Sequence, residues 1–255
     1  VGTMAKKRNS KIERTIKRRQ EMIGEISPIQ CHIHSELKKR LERQTDIFCF
    51  LPIIFQLTLD LATFGRNYFD QVCYFGFYNV NESTYKLQVV DNVDILELGV
   101  RDGESTVAFL SALSLTQNGM LWSVDINDNK ALREELGDAG LSDFWTFLVD
   151  DSVLVAQNET LPEKFDLVFI DTSHKFDATL MELETWAPRV KENGFILLHA
   201  TVDYFHDDLP RQKNEVVNAI ETFISQPQKD VWRYYNIDIG LCLGVMQKRN
   251  KINEQ

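Results

Sequence analysis

Two histidines and one aspartate are the side chains in this sequence best placed to move a proton. Asp171 and His174 stand three residues apart in IDTSH, at the end of one apolar run, and His199 closes another, FILLH. Histidine titrates near neutrality and so works as a general base at ordinary pH. His174 is the better candidate, with Asp171 orienting it, contacting a ligand or holding a cation. His199 reads either as a second base or as a satisfied buried histidine.

A further acid, Glu97, opens the pattern Glu97-x-Gly99-x-x-x-Gly103 at the end of the run DILEL, and Ser105-Thr106 begin the apolar-periodic stretch VAFLSALSL. Strand, glycine turn and helix N-terminus form the unit that starts a doubly wound sheet and places a ligand at its carboxyl edge. A G-x-G-x-x-G turn brings backbone amides to a pyrophosphate. Here the middle glycine is absent, and an acid stands where a diphosphate would be repelled. A ligand with a cationic amino group and no phosphate fits better. The plainer alternative is a turn whose glycines serve close packing.

Asp125 ends the next run, LWSVD, about 20 residues beyond the turn, where an acid can accept both hydroxyls of a ribose. Asp150-Asp151-Ser152 follow the run WTFLV, and Ser152 also reads as the N-cap of a helix.

The elements that must hold these residues alternate. Strands are expected at 93–98, 120–125, 144–149, 165–170 and 194–199, with a final pair near 231–236 and 240–247. Helices are expected at 105–115, 129–139, 152–157, 176–190 and 213–225. Such alternation is the mark of a parallel α/β sheet. Four parts follow: a basic helical arm at 1–45, a helical, aromatic-rich lid at 46–90, the ligand-binding domain at 91–248 and a tail at 249–255. In the second part, Ile53, Leu57, Leu61 and Phe64 recur at helical spacing and predict a buried helix within 47–64. The segment 68–78 is expected to pack over the carboxyl edge of the sheet.

On these motifs the sequence resembles the class I S-adenosylmethionine-dependent methyltransferases, whose first motif has the form seen from Glu97 to Gly103. Phe165 to Thr201 resembles the branch of small-molecule O-methyltransferases that includes the cephalosporin-hydroxylase-like enzymes, the methyltransferase family 24 type. Asp171, His174, Phe176, Trp186, Gly194 and His199 fall on that branch's positions. The resemblance implies a Rossmann-like, doubly wound, seven-stranded and mostly parallel sheet, its last two strands a hairpin, with the helical N-terminal extension added. It implies that S-adenosylmethionine lies against Glu97, Gly99, Arg101, Gly103, Ser105 and Thr106, with its ribose at Asp125 and Ile126. Adenine would then meet Asp151 and Ser152, and the methyl group would lie beside Asp171, His174 and His199. The implied reaction is in-line methyl transfer to a hydroxyl of a small molecule, sugar or glycan.

The metal-dependent relatives share a divalent cation such as Mg²⁺ between acids at the ends of the fourth and fifth strands. Asp171 supplies the first, but the branch's His-Asp step is His199-Ala200 here, so the second is missing. Asp203, His206 or Asp207 are the nearest substitutes, and a hard cation needs several oxygen ligands.

Composition sets the remaining bounds. The net charge of −10 divides unevenly, since residues 1–45 hold 12 Lys+Arg against 5 Asp+Glu. An acidic body argues against a broad nucleic-acid surface on the main domain. The basic arm reads as a solvated helix packing on the body or on a second copy in a homo-oligomer, with RNA or an anionic membrane as the other partners. The four cysteines form no C-x-x-C pair, so a reducing, cytoplasmic setting is expected. Cys31, His32 and His34 lack a second ligand pair. Pro52, Gln56 and Asp60 break the most apolar run, so no transmembrane segment is expected. Met4 reads as an initiator, and Val1-Gly2-Thr3 are left aside. Two other functions fit the same residues: a non-catalytic S-adenosylmethionine binder recruiting a partner through its arm, and an RNA-directed methyltransferase anchored by it.

Overall fold

A computed structural model describes residues 50–64, 92–201, 214–227, 231–237 and 243–249. The basic arm, the aromatic segment 68–78, the Cys31-His34 group and the substitute ligands Asp203, His206 and Asp207 lie outside the described residues.

The apolar runs form seven strands: β1 (Asp94–Leu98), β2 (Met120–Asp125), β3 (Trp145–Val149), β4 (Phe165–Ile170), β5 (Val190–His199), β6 (Trp232–Ile237) and β7 (Leu243–Lys248). They make one sheet in the order β3-β2-β1-β4-β5-β7-β6. The first five are parallel, and β7 runs antiparallel to both β5 and β6. The expected Rossmann-like architecture is therefore present, hairpin included. The strand order reverses between β1 and β4, the crevice where open α/β sheets bind ligands.

Among the described residues five α-helices cover the sheet: α1 (Leu51–Phe64), α2 (Glu104–Thr116), α3 (Lys130–Asp138), α4 (Phe176–Trp186) and α5 (Glu215–Ser225). One face of the sheet packs Ile95, Leu167, Phe169 and Leu197 against α1 and α2. The other packs Leu96, Val168 and Ile196 against Leu183 and Trp186 of α4 and Ile220 and Phe223 of α5. Because both faces are covered, the central strands read as continuous apolar runs. All six residues of β4 are buried. Each large side chain so buried stabilises the fold by roughly 1.5–3 kcal/mol before entropy is counted.

Three local expectations are corrected. The helix expected within 47–64 is present as α1, with Pro52 in its first turn, where its fixed φ is tolerated. The buried stripe runs through Leu51, Ile54, Leu57 and Leu61, while Ile53 is only partly covered, because α1 presents that face to α2. The helix expected to reach residue 190 stops at Trp186 and closes with a 3-10 turn at Ala187–Arg189. Pro188 has no N–H to continue the α ladder, so β5 begins early, pairing Val190 with Phe165.

The third correction concerns residues 152–157, which form only a 3-10 turn, Leu154–Gln157. Its start is capped by Asp151, whose Oδ1 accepts from the amides of Val153 and Leu154 at 2.8 and 3.0 Å, and not by Ser152. Among the described residues no helix is long and apolar enough to cross a membrane.

Candidate functional site

Strand register brings the chemistry to one edge. Leu98 pairs with Val124 on one side and Ile170 on the other, so the tips of β1, β2 and β4 are level. Backbone bonds continue past the strand ends: Gly99 N–H to Val124 at 2.9 Å, Asp171 N–H to Leu98 at 2.8 Å and Asp150 N–H to Asp125 at 3.0 Å. The glycine turn, Asp125, Asp150 and Asp171 are thereby tied into a single rim.

Asp125 builds the turn. Its Oδ2 accepts from the amides of Val100 and Arg101 at 2.9 and 3.1 Å, and its Oδ1 from that of Asn127 at 2.9 Å. Partial burial would raise its pKa, but these three N–H donors outweigh burial and hold the carboxyl below its ordinary value. Arg101 sits in the left-handed region at φ 51°, its carbonyl accepting from Asn129 Nδ2 at 2.8 Å. Beside Asp125, Ile126 is 72% exposed, an apolar side chain left on the rim. Asp151 is also exposed.

The glycines serve close approach. Gly99 has φ +88°, and a Cβ there would lie 2.0 Å from the carbonyl oxygen of Asp171. The turn is pressed onto the tip of β4, and only glycine permits it. A Cβ at Gly103 would meet the methyls of Leu132 at 2.5 and 2.6 Å.

Glu97, expected at the ligand's amino group, points inward. It is fully buried, with Oε1 accepting from Ser105 at 2.5 Å and Oε2 from Thr106 and Ser123 at 2.8 and 2.6 Å. The hydroxyls of Ser105 and Thr106 are therefore committed to Glu97 and point away from the rim. Ser123 Oγ also accepts from Trp145 Nε1 at 2.9 Å. Burial pushes the Glu97 carboxyl up to about 7 although three hydroxyls oppose it. Ser152 is likewise drawn inward, donating to Glu182 Oε1 at 2.6 Å, while Thr172 donates to Oε2 at 3.0 Å. Glu182, buried on α4, is a supporting residue that sequence reading missed; its place one helical turn before Trp186 was the available signal.

The structure brings together the three residues singled out for proton transfer. Asp171 Oδ1 accepts from His174 Nε2 at 2.8 Å and from His199 Nδ1 at 2.9 Å. Burial favours the neutral acid, but the two imidazole donors and their charge carry Asp171 down to about 2. The side chains differ in access: His174 is 37% exposed, Asp171 20% and His199 1%. Phe50 meets His199 edge-on at 5.9 Å between centroids, and the two imidazoles meet edge-on at 5.4 Å. His174 and Ala200 both take left-handed backbone, each at φ 56°, a cost that side chains other than glycine bear rarely and mostly at functional sites. Asn214 Nδ2 donates to the carbonyl of Ala200, fixing the end of β5.

One carboxylate and two imidazoles do not suit Mg²⁺, which prefers an octahedron of oxygens. Ala200 offers no side-chain ligand, so among the described residues the strand-end acid pair that the resemblance implied is absent.

Glu215, at the start of α5, caps the neighbouring helix. It accepts from Phe176 N–H at 2.9 Å and from Lys175 Nζ at 3.0 Å, fixing the segment that follows His174.

Residues 96–201 match the family described as a methyltransferase domain. A protein from Corynebacterium glutamicum shares the fold at 16% identity and a TM-score of 0.54, over 95% of this chain and 100% of that one. An O-methyltransferase family protein from Burkholderia thailandensis aligns at 11% identity and a TM-score of 0.51, over 81% of this chain and 58% of that one. At such identities the likeness is one of fold. No curated protein matches the chain by sequence.

Proposed function

We propose that the chain, whose residues 96–201 match the methyltransferase-domain family, uses S-adenosylmethionine to methylate a hydroxyl of a small molecule or sugar unit, with His174 as general base. The observation that carries this reading is the accessible His174 ring held at 2.8 Å by Asp171 on the tip of β4.

The hydrogen bond decides which nitrogen works. Asp171 stays ionised, so it receives the Nε2–H of His174 and leaves Nδ1 with a lone pair. Nδ1 takes the acceptor's proton as its oxygen forms the new bond to carbon, and Asp171 stabilises the resulting imidazolium. His199, buried behind Asp171, is a positioning residue that holds the carboxylate toward His174.

The rim also fits the methyl donor. Asp125 accepts three turn amides at 2.9–3.1 Å and a long contact from Asn127 Nδ2 at 3.5 Å, the weakest of the four and the one a ribose hydroxyl would displace. Ile126 offers an apolar face to a base. When bound, S-adenosylmethionine supplies an electrophilic methyl on a sulfonium whose positive charge is lost on transfer. Glu97 acts from behind the turn, fixing the start of α2 through Ser105 and Thr106.

Transfer of tritiated methyl from the donor to hydroxylated small molecules and glycan fragments tests the reading. Labelled ether product, lost in Asp171→Ala and reduced in His174→Ala, supports it. Label in nitrogen or carbon positions, or in RNA, would redirect it.

A further inference from the structure

We infer that Glu182 is a positioning residue for the proposed methyl transfer, joining the turn that would receive adenine to the turn that carries the base. The inference rests on the donor placement above, with adenine against Ile126 and the turn at Asp151, and the methyl group beside Asp171 and His174.

The Glu182 carboxylate is 1% exposed and divided between two strand tips. Oε1 accepts from Ser152 Oγ at 2.6 Å, in the turn after β3. Oε2 accepts from Thr172 Oγ1 at 3.0 Å, next to Asp171 in the turn after β4. Because Asp151 caps the 3-10 turn, the Ser152 hydroxyl is spared for this bond. Burial pushes the Glu182 carboxyl above its ordinary value and the two hydroxyls oppose it. Charge on both turns also reaches it, Asp151 raising it further and His174 lowering it.

The helix that carries Glu182 makes the link stiff. Trp186, one turn further on, donates from Nε1 to the carbonyl of Ser152 at 2.8 Å. Arg189 donates to the carbonyls of Ala156 and Glu163 at 3.0 and 3.1 Å and to that of Pro162. Its guanidinium also lies over the Trp186 ring, 5.0 Å from the centroid. Residues 182, 186 and 189 have the i, i+4, i+7 spacing of one helical face, so one side of α4 and its closing turn holds the connection from Ser152 to Glu163. Of these three, Glu182 is the one bonded to Thr172 as well. At its other end α4 begins two residues after His174, where Glu215 pins Lys175 and the Phe176 N–H.

A buried carboxylate shared by two donors penalises the loss of either bond, because the group left behind stays desolvated. A displacement at Ser152 is therefore carried to Thr172, and from there to the Asp171–His174 pair. That scale matters for catalysis, since misplacement of the reacting groups by about 1 Å costs roughly 100-fold in rate.

The test uses the full chain and adenosine, a probe that fills only the base and ribose part of the donor site. Hydrogen exchange read by mass spectrometry follows residues 150–157 and 171–176 separately. In the wild type, saturating adenosine should slow exchange roughly tenfold in both turns, the second through Glu182. Glu182→Ala should keep the slowing at 150–157 and lose it at 171–176. Thr172→Val deletes one hydroxyl from a half-buried residue and should do the same. It keeps the test decisive where Glu182→Ala does not fold, which thermal melting checks. Glu182→Gln, whose amide can accept from one hydroxyl and donate to the other, should restore the slowing. A merely structural Glu182 would change exchange equally with and without adenosine. Slowing at 171–176 that is absent from the wild type, or that persists in Glu182→Ala or Thr172→Val, would overturn the inference. Calorimetry of the wild type with S-adenosylmethionine judges the donor reading separately. No heat would overturn both, whereas heat beside an uncoupled second turn would overturn the inference alone.

Discussion

Two carboxylates at the crevice show how partners, more than burial, decide what an acid can do. Glu97 lies beneath the first turn among three hydroxyls, and its carboxyl is pushed up to about 7. Asp171 lies at the neighbouring strand tip, also desolvated, yet two imidazoles carry it down to about 2. Hydroxyls donate hydrogen bonds but bring no charge, so they only partly offset desolvation. Imidazoles bring both. Glu97 therefore serves as a pin for the βα turn, while Asp171 remains an anion able to hold a proton donor, a positive ring or an ion.

The sharpest way to break this contrast is to remove the charge of Asp171. Asp171→Asn should lower methyl transfer about 10³-fold at saturating donor, with donor affinity changed far less, because the base loses its orientation and its counter-charge. Turnover number and donor Kd, measured separately, check the split.

Next in size is Gly99→Ala. Its Cβ would strike the backbone of Asp171, and backbone cannot step aside as a side-chain end can. Destabilisation of about 3 kcal/mol or more is expected, read as a fall in the denaturant midpoint.

Glu97→Gln tests the other half of the comparison. A carboxyl with folded pKa about 7 and ordinary value 4.5 binds its proton more tightly in the folded state. Its contribution is full below pH 4.5 and is lost as pH rises toward 7. The wild type should lose up to about 3 kcal/mol across that window relative to the Gln variant, whose stability should be flatter. Urea unfolding at several pH values measures it. A smaller effect is expected at Asp125→Ala, which should weaken methyl-donor binding roughly 10- to 100-fold, since the turn loses its anchor and the ribose its acceptor.

Much of the fold was legible because burial on both sheet faces writes each strand as an unbroken apolar run, and β1, β2 and β4 begin or end within one residue of expectation. The meeting of Asp171, His174 and His199 was legible too, because Asp171 and His199 stand at strand tips that the topology makes adjacent and His174 follows Asp171 by three residues. What was not legible was side-chain direction. Ser105, Thr106 and Ser152 carry hydroxyls that sequence assigns equally well to a ligand or a helix cap, and only the positions of Glu97 and Glu182 turn them inward. The early end of α4 was written in Pro188, whose effect the apolar periodicity masked.

The chain from Trp145 through Ser123 to Glu97 gives the protein an intrinsic optical gauge. An indole whose N–H rests on a hydroxyl bound to a carboxyl experiences a different field when that carboxyl gains or loses its proton. Emission from Trp145, isolated by replacing the other three tryptophans with phenylalanine, should shift as pH crosses 7, and Glu97→Gln should silence the shift. A glow change in an ordinary spectrofluorometer would then report the charge state of a group that no solvent molecule touches.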